Sequence, residues 1–388
     1  MADEMTKTIE LTGHIDSNNA QDIEKKILDD LSGQKSQAIV FDAENLEYIS
    51  SAGLRILLRV MKAYPDVRIT NVRPGVYEIL DTTGFTQLMT VEKAYRRISV
   101  EGCEEIGRGA SGTIYRIDQD NVVKVYNDRD ALEEIINERE MAKLALILGI
   151  PTAISYEIVR VGDSYGSVFE LLDAVSFSHI IATDPSRLDW CIEENIKLLN
   201  TLHSTHVPDG KLPDIRNKYL SKIEGVRDIL TDEVAGRLRD MIMAVPFDDR
   251  MIHGDFHTKN IMLLDNDVLL VDMETISTGN PVFEFASMFD AYIGFSEPDR
   301  EQVLRFQGFD FATAERFWHE TLSGYLGTKD ADRIREVEDK ARIPGYVRMI
   351  HFMAKSKDKD TEAGRAQIAY WKEKLLETLD RVDSLTFE

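Results

Sequence analysis

His253-Gly254-Asp255-Phe256-His257-Thr258-Lys259-Asn260, bracketed by Met251-Ile252 and by Ile261-Met262-Leu263-Leu264, decides how the rest of the chain is read. Short apolar segments on both sides predict two buried strands joined by a polar loop. A carboxylate at Asp255 can orient an acceptor hydroxyl and take its proton, and Asn260 can offer its amide oxygen to a hard cation. His257 suits either of two tasks, a hydrogen bond to a transferred phosphate or stabilisation of the loop. The competing reading of Asp255 and Asn260 is a polar turn without chemistry.

Moving downstream, the apolar residues 268–271 end in Asp272-Met273-Glu274, which puts a carboxylate directly behind a buried strand. Magnesium prefers such oxygen ligands and bridges phosphates with them, so Asp272 and Asn260 are the candidate metal ligands and Glu274 a supporting residue. Upstream lies Gly107-Arg108-Gly109-Ala110-Ser111-Gly112, between two segments of strand character. Glycines let backbone N–H groups approach a phosphate tail closely, although a plain hairpin turn would look the same. A strand, not a helix, follows this loop, which excludes a dinucleotide fold.

In Val122-Val123-Lys124-Val125-Tyr126, Val122 and Lys124 share one face of a strand. A lysine there is costly unless its ammonium has a partner. In phosphoryl transfer it holds the α- and β-phosphates and is itself held by a helix glutamate, for which Glu140 is the expected residue and Glu138 the competitor. The strand end at Phe169-Glu170-Leu171-Leu172 can present the Glu170 carbonyl and the Leu172 N–H to an adenine. The set therefore predicts ATP and Mg²⁺ as cofactors. Asp255, Lys124, Glu140 and His257 are the candidate catalytic residues, and Gly107, Gly109, Ser111, Gly112, Val122, Lys124, Glu170 and Leu172 the nucleotide contacts.

Residues 8–98 alternate short strands with helices. A strand over 8–15 is followed by a helix that Ser17 can cap and that runs to Leu31. A short strand at 38–41, a helix at 51–64, a strand at 67–72 and a helix begun by Pro74 complete a small covered sheet. From about Val100 come the glycine hairpin, a strand, a helix over 130–148 and a strand pair around Ile158 and Val168. Beyond Ser178 the chain reads as helical except for a strand-rich centre between Ile252 and Asp272. No Pro/Gly/Ser-rich spacer separates the two parts, which argues against a flexible tether.

Residues 103–300 resemble the aminoglycoside phosphotransferase and choline kinase family. The likeness lies in the glycine loop, His253-Gly254-Asp255 to Asn260, Asp272-Met273-Glu274, Leu202-His203-Ser204, and Gly279-Asn280-Pro281 to Glu284-Phe285-Ala286, where Glu284 stands in place of the usual aspartate. Gly254 and Glu274 depart from protein-kinase patterns, which favours a small-molecule kinase. Leu11-Thr12-Gly13-His14-Ile15-Asp16, Tyr48 to Leu54 and Leu80 to Phe85 resemble the landmark segments of the STAS fold of anti-sigma-factor antagonists. That resemblance implies Ser51 as a candidate phosphoacceptor, against the plainer reading of Ser50 and Ser51 as helix caps, and Ser50 replaces the usual aspartate. The expected architecture is an α/β STAS-like regulatory or interaction domain (1–98) followed by an α+β two-lobed kinase-like domain (99–388), with its lobes at 99–173 and 174–388.

Composition narrows the partners. The formal charge of −23 argues against nucleic acid and makes a cationic or polar acceptor easier to accommodate. No apolar run approaches the roughly 20 residues of a membrane span, and no secretory leader is evident, so a cytoplasmic location is expected. Cys103 and Cys191 lack metal or redox spacing. The leading expectation is transfer of the ATP γ-phosphate to a hydroxyl of a small polar molecule, with Trp318, Tyr325 and Tyr346 lining the acceptor side. The alternatives are a protein kinase acting on Ser51 and a nucleotide-sensing scaffold that signals through the N-terminal domain to a protein partner.

Overall fold

The computed structural model describes residues 6–32, 38–64, 66–109, 111–129 and 131–387. Ala110 of the glycine loop and Asp130, the expected start of a helix, lie outside the described residues. The chain divides into two compact units: residues up to Glu101 together with Ile158–Tyr165, and Gly102–Glu157 together with Gly166–Glu388.

In the first unit β1 (Thr6–Ile15), α1 (Ala20–Leu31), β2 (Ala38–Ile49), α2 (Ser51–Ala63), β3 (Asp66–Val72), α3 (Pro74–Thr82) and β4 (Thr90–Lys93) alternate. The strands form a parallel sheet in the order β1-β2-β3-β4. Parallel neighbours need crossovers, and the helices supply them. Ile9, Leu11, Ile39, Phe41 and Ile69 from the sheet meet Leu54, Leu57, Val60 and Leu80 from the helices in one core. Two expectations are corrected here. Ser17 does not cap α1, because the chain turns at Asp16–Asn19, where Asn19 Oδ1 accepts from the Asp16 N–H. β2 runs eight residues past Phe41, with Ala43, Leu46 and Ile49 buried. Within this unit β5 (Arg96–Ile98) lies parallel to residues 159–161.

The second unit opens with β6 (Glu104–Arg108), β7 (Gly112–Arg116) and β8 (Asn121–Tyr126). α4 (Leu132–Ile147) follows, then β9 (Glu157–Val161), which falls almost wholly in the first unit, and β10 (Ser164–Glu170), and β10, β8, β7 and β6 are antiparallel neighbours in that order. Beyond them come β11 (Ala174–Ser176), α5 (Phe177–Thr183), α6 (Leu188–Ser204), α7 (Ile215–Gly225) and α8 (Asp232–Ala244). The strand-rich centre is β12 (Met251–Ile252), β13 (Ile261–Leu264), β14 (Asp267–Leu270) and β15 (Ser277–Thr278). The last part is helical: α9 (Val282–Tyr292), α10 (Glu301–Gln307), α11 (Phe311–Leu326), α12 (Ala331–Lys355) and α13 (Glu362–Leu379).

All of α9 is buried, as expected of a helix apolar on nearly every side. It packs against α12 and α11 in a core that also holds Trp318, Tyr346 and Trp371. Trp318 and Tyr346 are therefore core residues, not lining of a cleft, and Tyr325 is partly buried with its ring against His203. They were expected at the acceptor side; their bulk fills the helical layer instead.

Candidate active site

The glycine hairpin joins β6 to β7, with the Gly109 N–H donating to the Gly112 carbonyl at 2.8 Å. Gly112 has a packing reason to be glycine, because a Cβ there would fall 2.4 Å from the Val125 carbonyl oxygen. Ser111 accepts the Asn127 N–H through its carbonyl at 3.0 Å. One strand further in, Val122 is buried and the Lys124 ammonium lies 3.2 Å from Glu138 Oε1, 3.7 Å from Asp272 Oδ1 and 3.9 Å from Glu274 Oε2. The Tyr126 hydroxyl donates to the other Glu138 oxygen at 2.8 Å.

The helix partner of Lys124 is thus Glu138 and not Glu140. Glu140 points outward and pairs with Lys143 at 2.7 Å on the exposed face of α4. Burial opposes the charge on Lys124, and Glu138, Asp272 and Glu274 together more than offset it, holding its pKa above the usual value. Burial and the neighbouring Asp272 push Glu274 up to about 7. At the end of β10 the Leu171 N–H is taken by the Asp120 carbonyl at 2.7 Å, and Glu170 pairs with Asn121 across the ladder.

The turn carrying Asp255 is held from behind. Gly254 has φ +80, a left-handed conformation that suits glycine. The buried Glu284 carboxylate accepts from the backbone N–H groups of His253 at 2.5 Å and Gly254 at 2.9 Å, with His203 Nε2 3.8 Å away. Glu284 thus holds the turn through both of its carboxylate oxygens. The Asn260 amide donates to the Asp255 carbonyl at 3.0 Å, and the Val271 N–H donates to the Asn260 carbonyl at 2.9 Å, which ties Asn260 to the residue before Asp272. Asp272 itself has φ +65, a strained setting of the kind found at functional sites.

Sequence reasoning missed Arg348. From α12 its guanidinium donates to Asp255 Oδ1 at 2.5 Å and to the Gly254 carbonyl at 2.7 Å, and its Nε lies 3.6 Å from the buried Asp290. His257 Nε2 lies 3.4 Å from the other Asp255 oxygen, and its ring stands edge-on to Phe306. Burial alone would raise the Asp255 pKa; Arg348 and His257 overcome that and hold the carboxyl well below the usual range. Burial drives Asp290 the other way, well above it, against the pull of Arg348. The signal for Arg348 was an arginine within the apolar run Tyr346 to Met353, which is costly without a buried acid.

The sequence profile described as the phosphotransferase enzyme family matches residues 102–317, more than half of the chain. The chain belongs to the phosphotransferase enzyme family. The STAS domain profile matches residues 3–98, so this phosphotransferase carries an N-terminal STAS domain. Over 85 residues it is 32% identical to a Bordetella bronchiseptica protein, BtrV, named as an anti-sigma factor antagonist, covering 21% of this chain and 72% of that one. Among solved structures, the ADP-bound aminoglycoside phosphotransferase APH(2'')-Ib is 15% identical with a TM-score of 0.49, covering 71% of this chain and 93% of the other. A choline/ethanolamine kinase family protein from Mesorhizobium loti is 14% identical with a TM-score of 0.46, covering 72% and 88%.

Two further placements concern a metal and the STAS domain. Asp272 Oδ1 is buried without a hydrogen-bond partner, and the Asn260 side chain spends its N–H on Asp255, so both residues present oxygen donors of the kind a hard cation takes. Among the described residues no group of three or more His, Cys, Asp or Glu is arranged to hold a metal. In the STAS domain the Ser50 hydroxyl caps α2 by accepting from the Ala52 N–H, leaving Ser51 exposed at the first helical position. No helix among the described residues is long and apolar enough to cross a membrane.

Proposed function

We propose that this phosphotransferase moves the γ-phosphoryl group of ATP to a hydroxyl of a small molecule, and that residues 99–388 form the catalytic unit and 1–98 a regulatory or interaction unit. The observation that carries the reading is the convergence of Lys124 on Asp272 at 3.7 Å, with Asp255 tied to the same centre through Asn260. Lys124, oriented by Glu138, would meet the α- and β-phosphates, and the loop N–H groups around Gly107, Gly109, Ser111 and Gly112 would cradle the tail, with Val122 against the base and Glu170 and Leu172 at its edge. Asp272 and Asn260 would hold Mg²⁺, whose chemistry is to bridge phosphate oxygens and neutralise their charge.

Asp255 aims the hydroxyl at the phosphorus. Because Arg348 and His257 hold its carboxyl so far below the usual range, it takes the proton only late, as charge on the acceptor oxygen develops in a loose transition state. A site that draws on ATP supports a cytoplasmic location, where that nucleotide is abundant. In the STAS domain Ser51 is the position for a regulatory phosphate: it is exposed at a helix N-terminus, where unpaired N–H groups favour an anion.

The deciding test is Asp255→Asn in the full chain, followed by ADP release with Mg-ATP. Turnover falls by roughly 10²- to 10⁴-fold while ATP affinity changes little. Undiminished turnover would remove Asp255 from the mechanism.

A further inference from the structure

Beside the turn that carries Asp255, two helices present basic side chains, of which Lys218, Lys222 and Lys355 have no ion-pair partner among the described residues. α7 carries Lys218 and Lys222 one turn apart, and α12 carries Arg348, His351 and Lys355 at spacings of three and four, so each set lies along one helix face. The two faces meet where the His351 ring sits 3.0 Å from the point at which a side chain on Gly225 would begin. The stripe starts at the catalytic turn. Arg348 grips Asp255 and the Gly254 carbonyl, while the Lys218 ammonium donates to the carbonyls of Thr275 at 2.9 Å and Ile276 at 3.4 Å. That same Thr275 carbonyl packs against Gly254.

From there the stripe runs outward along the α7/α12 seam through Lys222 to the exposed Lys355. Among the described residues no ion pair reaches Lys218, Lys222 or Lys355, and Lys222 lies 5.7 Å from the centre of the Tyr219 ring. Half-buried ammonium groups are costly without an anion. A chain with 69 acidic residues against 46 basic ones has counter-charges to spare, yet here Glu274 acts on Lys218 and Asp290 on Lys222 only from a distance, without forming an ion pair. Burial, with cationic neighbours, pushes Lys218 and Lys222 down to about 8, because too little negative charge lies close enough to offset it.

We infer that the α7/α12 seam binds an anionic group of the acceptor, a carboxylate or a phosphate ester on a small hydroxylated molecule whose hydroxyl lies at Asp255. The inference rests on the phosphotransferase reading above and deepens it. It also narrows the expectation, drawn from net charge, that a cationic or polar acceptor is easier to accommodate: the basic side chains at the seam favour a polar acceptor that is anionic, although the chain as a whole is strongly negative.

The test uses the full chain loaded with Mg-ADP and titrates inorganic phosphate and malonate by calorimetry, with ATP affinity measured separately. At least one anion binds saturably, and Lys222→Met weakens it roughly tenfold or more, the loss of a charge-assisted hydrogen bond, while ATP affinity is unchanged. Comparing the two anions tells a phosphate ester from a carboxylate. With Mg-ATP, turnover among glycerol, choline, glycerol 3-phosphate and glycerate is confined to the anionic alcohols and shows a raised KM in Lys222→Met. Removing an unpaired cation leaves the melting temperature unchanged or higher, and Lys222→Gln is the second variant should the methionine disturb packing. Binding that is equal in wild type and both variants, absence of saturable binding of either anion, or turnover on glycerol or choline would overturn the inference. Failure of ATP itself to bind would instead overturn the phosphotransferase reading.

Discussion

The two sides of the cleft carry opposite charge. On the side of Lys124 a single ammonium faces Glu138, Asp272 and Glu274, whereas on the side of Asp255 the acid is gripped by Arg348 and bordered by Lys218 and Lys222. An excess of carboxylate suits a metal-bound triphosphate, where the cation supplies the missing positive charge; an excess of ammonium suits a bare anion. Net charge averages over this contrast and conceals it. The largest expected effect lies on the acidic side. Asp272→Asn keeps the shape of the side chain but removes the charge, and turnover drops by roughly a thousandfold, equivalent to several kcal/mol of lost transition-state stabilisation, as read by single-turnover ADP formation. A change below about tenfold would show that the carboxylate excess has another purpose.

The next effect breaks the basic side. Arg348→Met strands the half-buried Asp255 carboxylate, and leaving that charge without its partner costs roughly 1–3 kcal/mol, visible as a lowered denaturation midpoint. Pairing it with Asp255→Asn recovers much of that loss, since the remaining group no longer carries an uncompensated charge. If the double variant is no more stable than Arg348→Met alone, the guanidinium is held by Asp290 and the Gly254 carbonyl, and Asp255 is incidental to it.

How far the sequence could be read differs between these sides for a physical reason. The residues from His253 to Asn260 and from Asp272 to Glu274 were legible because each group is local, a loop beside a short strand whose geometry its own neighbours impose. Glu138 was not separable from Glu140. Two residues on α4 differ by some 200° of rotation, and the face turned to β8 depends on its packing there, including the Tyr126 hydroxyl that donates to Glu138. Arg348 lies 93 residues from Asp255, so only the oddity of an arginine in an apolar helix marked it. Trp318 and Tyr346 were misplaced because a large aromatic serves a helical core as readily as a cleft. In the STAS domain the strand and helix pattern was readable, but the polar extension of β2 breaks the alternation that a sheet with one buried face would show.

A smaller effect sharpens the acidic side. Glu138→Gln lowers kcat/KM by roughly 10- to 100-fold, because a charge-assisted hydrogen bond worth about 1.5–3 kcal/mol no longer fixes Lys124. Glu140→Gln, which touches only an exposed i,i+3 pair, changes stability by less than about 0.5 kcal/mol and activity not at all. Steady-state kinetics on the two variants would reverse the assignment if Glu140→Gln were the impaired one.

The last effect is on pH, gradual across the range and not a single step, and it separates the sides without any mutation. Lys218 faces Lys222 and Glu274; Lys222 faces Arg348, Lys355 and His351 from α12 and Asp290 from α9. Both lysines sit near 8 in the folded chain, below the value of about 10.4 for an unfolded lysine. Between these values the unfolded chain holds more protons, so stability without ligand rises as the pH climbs from about 8 towards 10. Anion binding at the seam needs the charged form and moves in the opposite direction, weakening by up to about tenfold per pH unit for each lysine above pH 8. Lys124 has its pKa raised by three acids, so ATP affinity stays level over the same interval. Calorimetric titrations of malonate and of Mg-ATP across that range therefore diverge. Parallel curves would mean that the two sides of the cleft share one electrostatic environment after all.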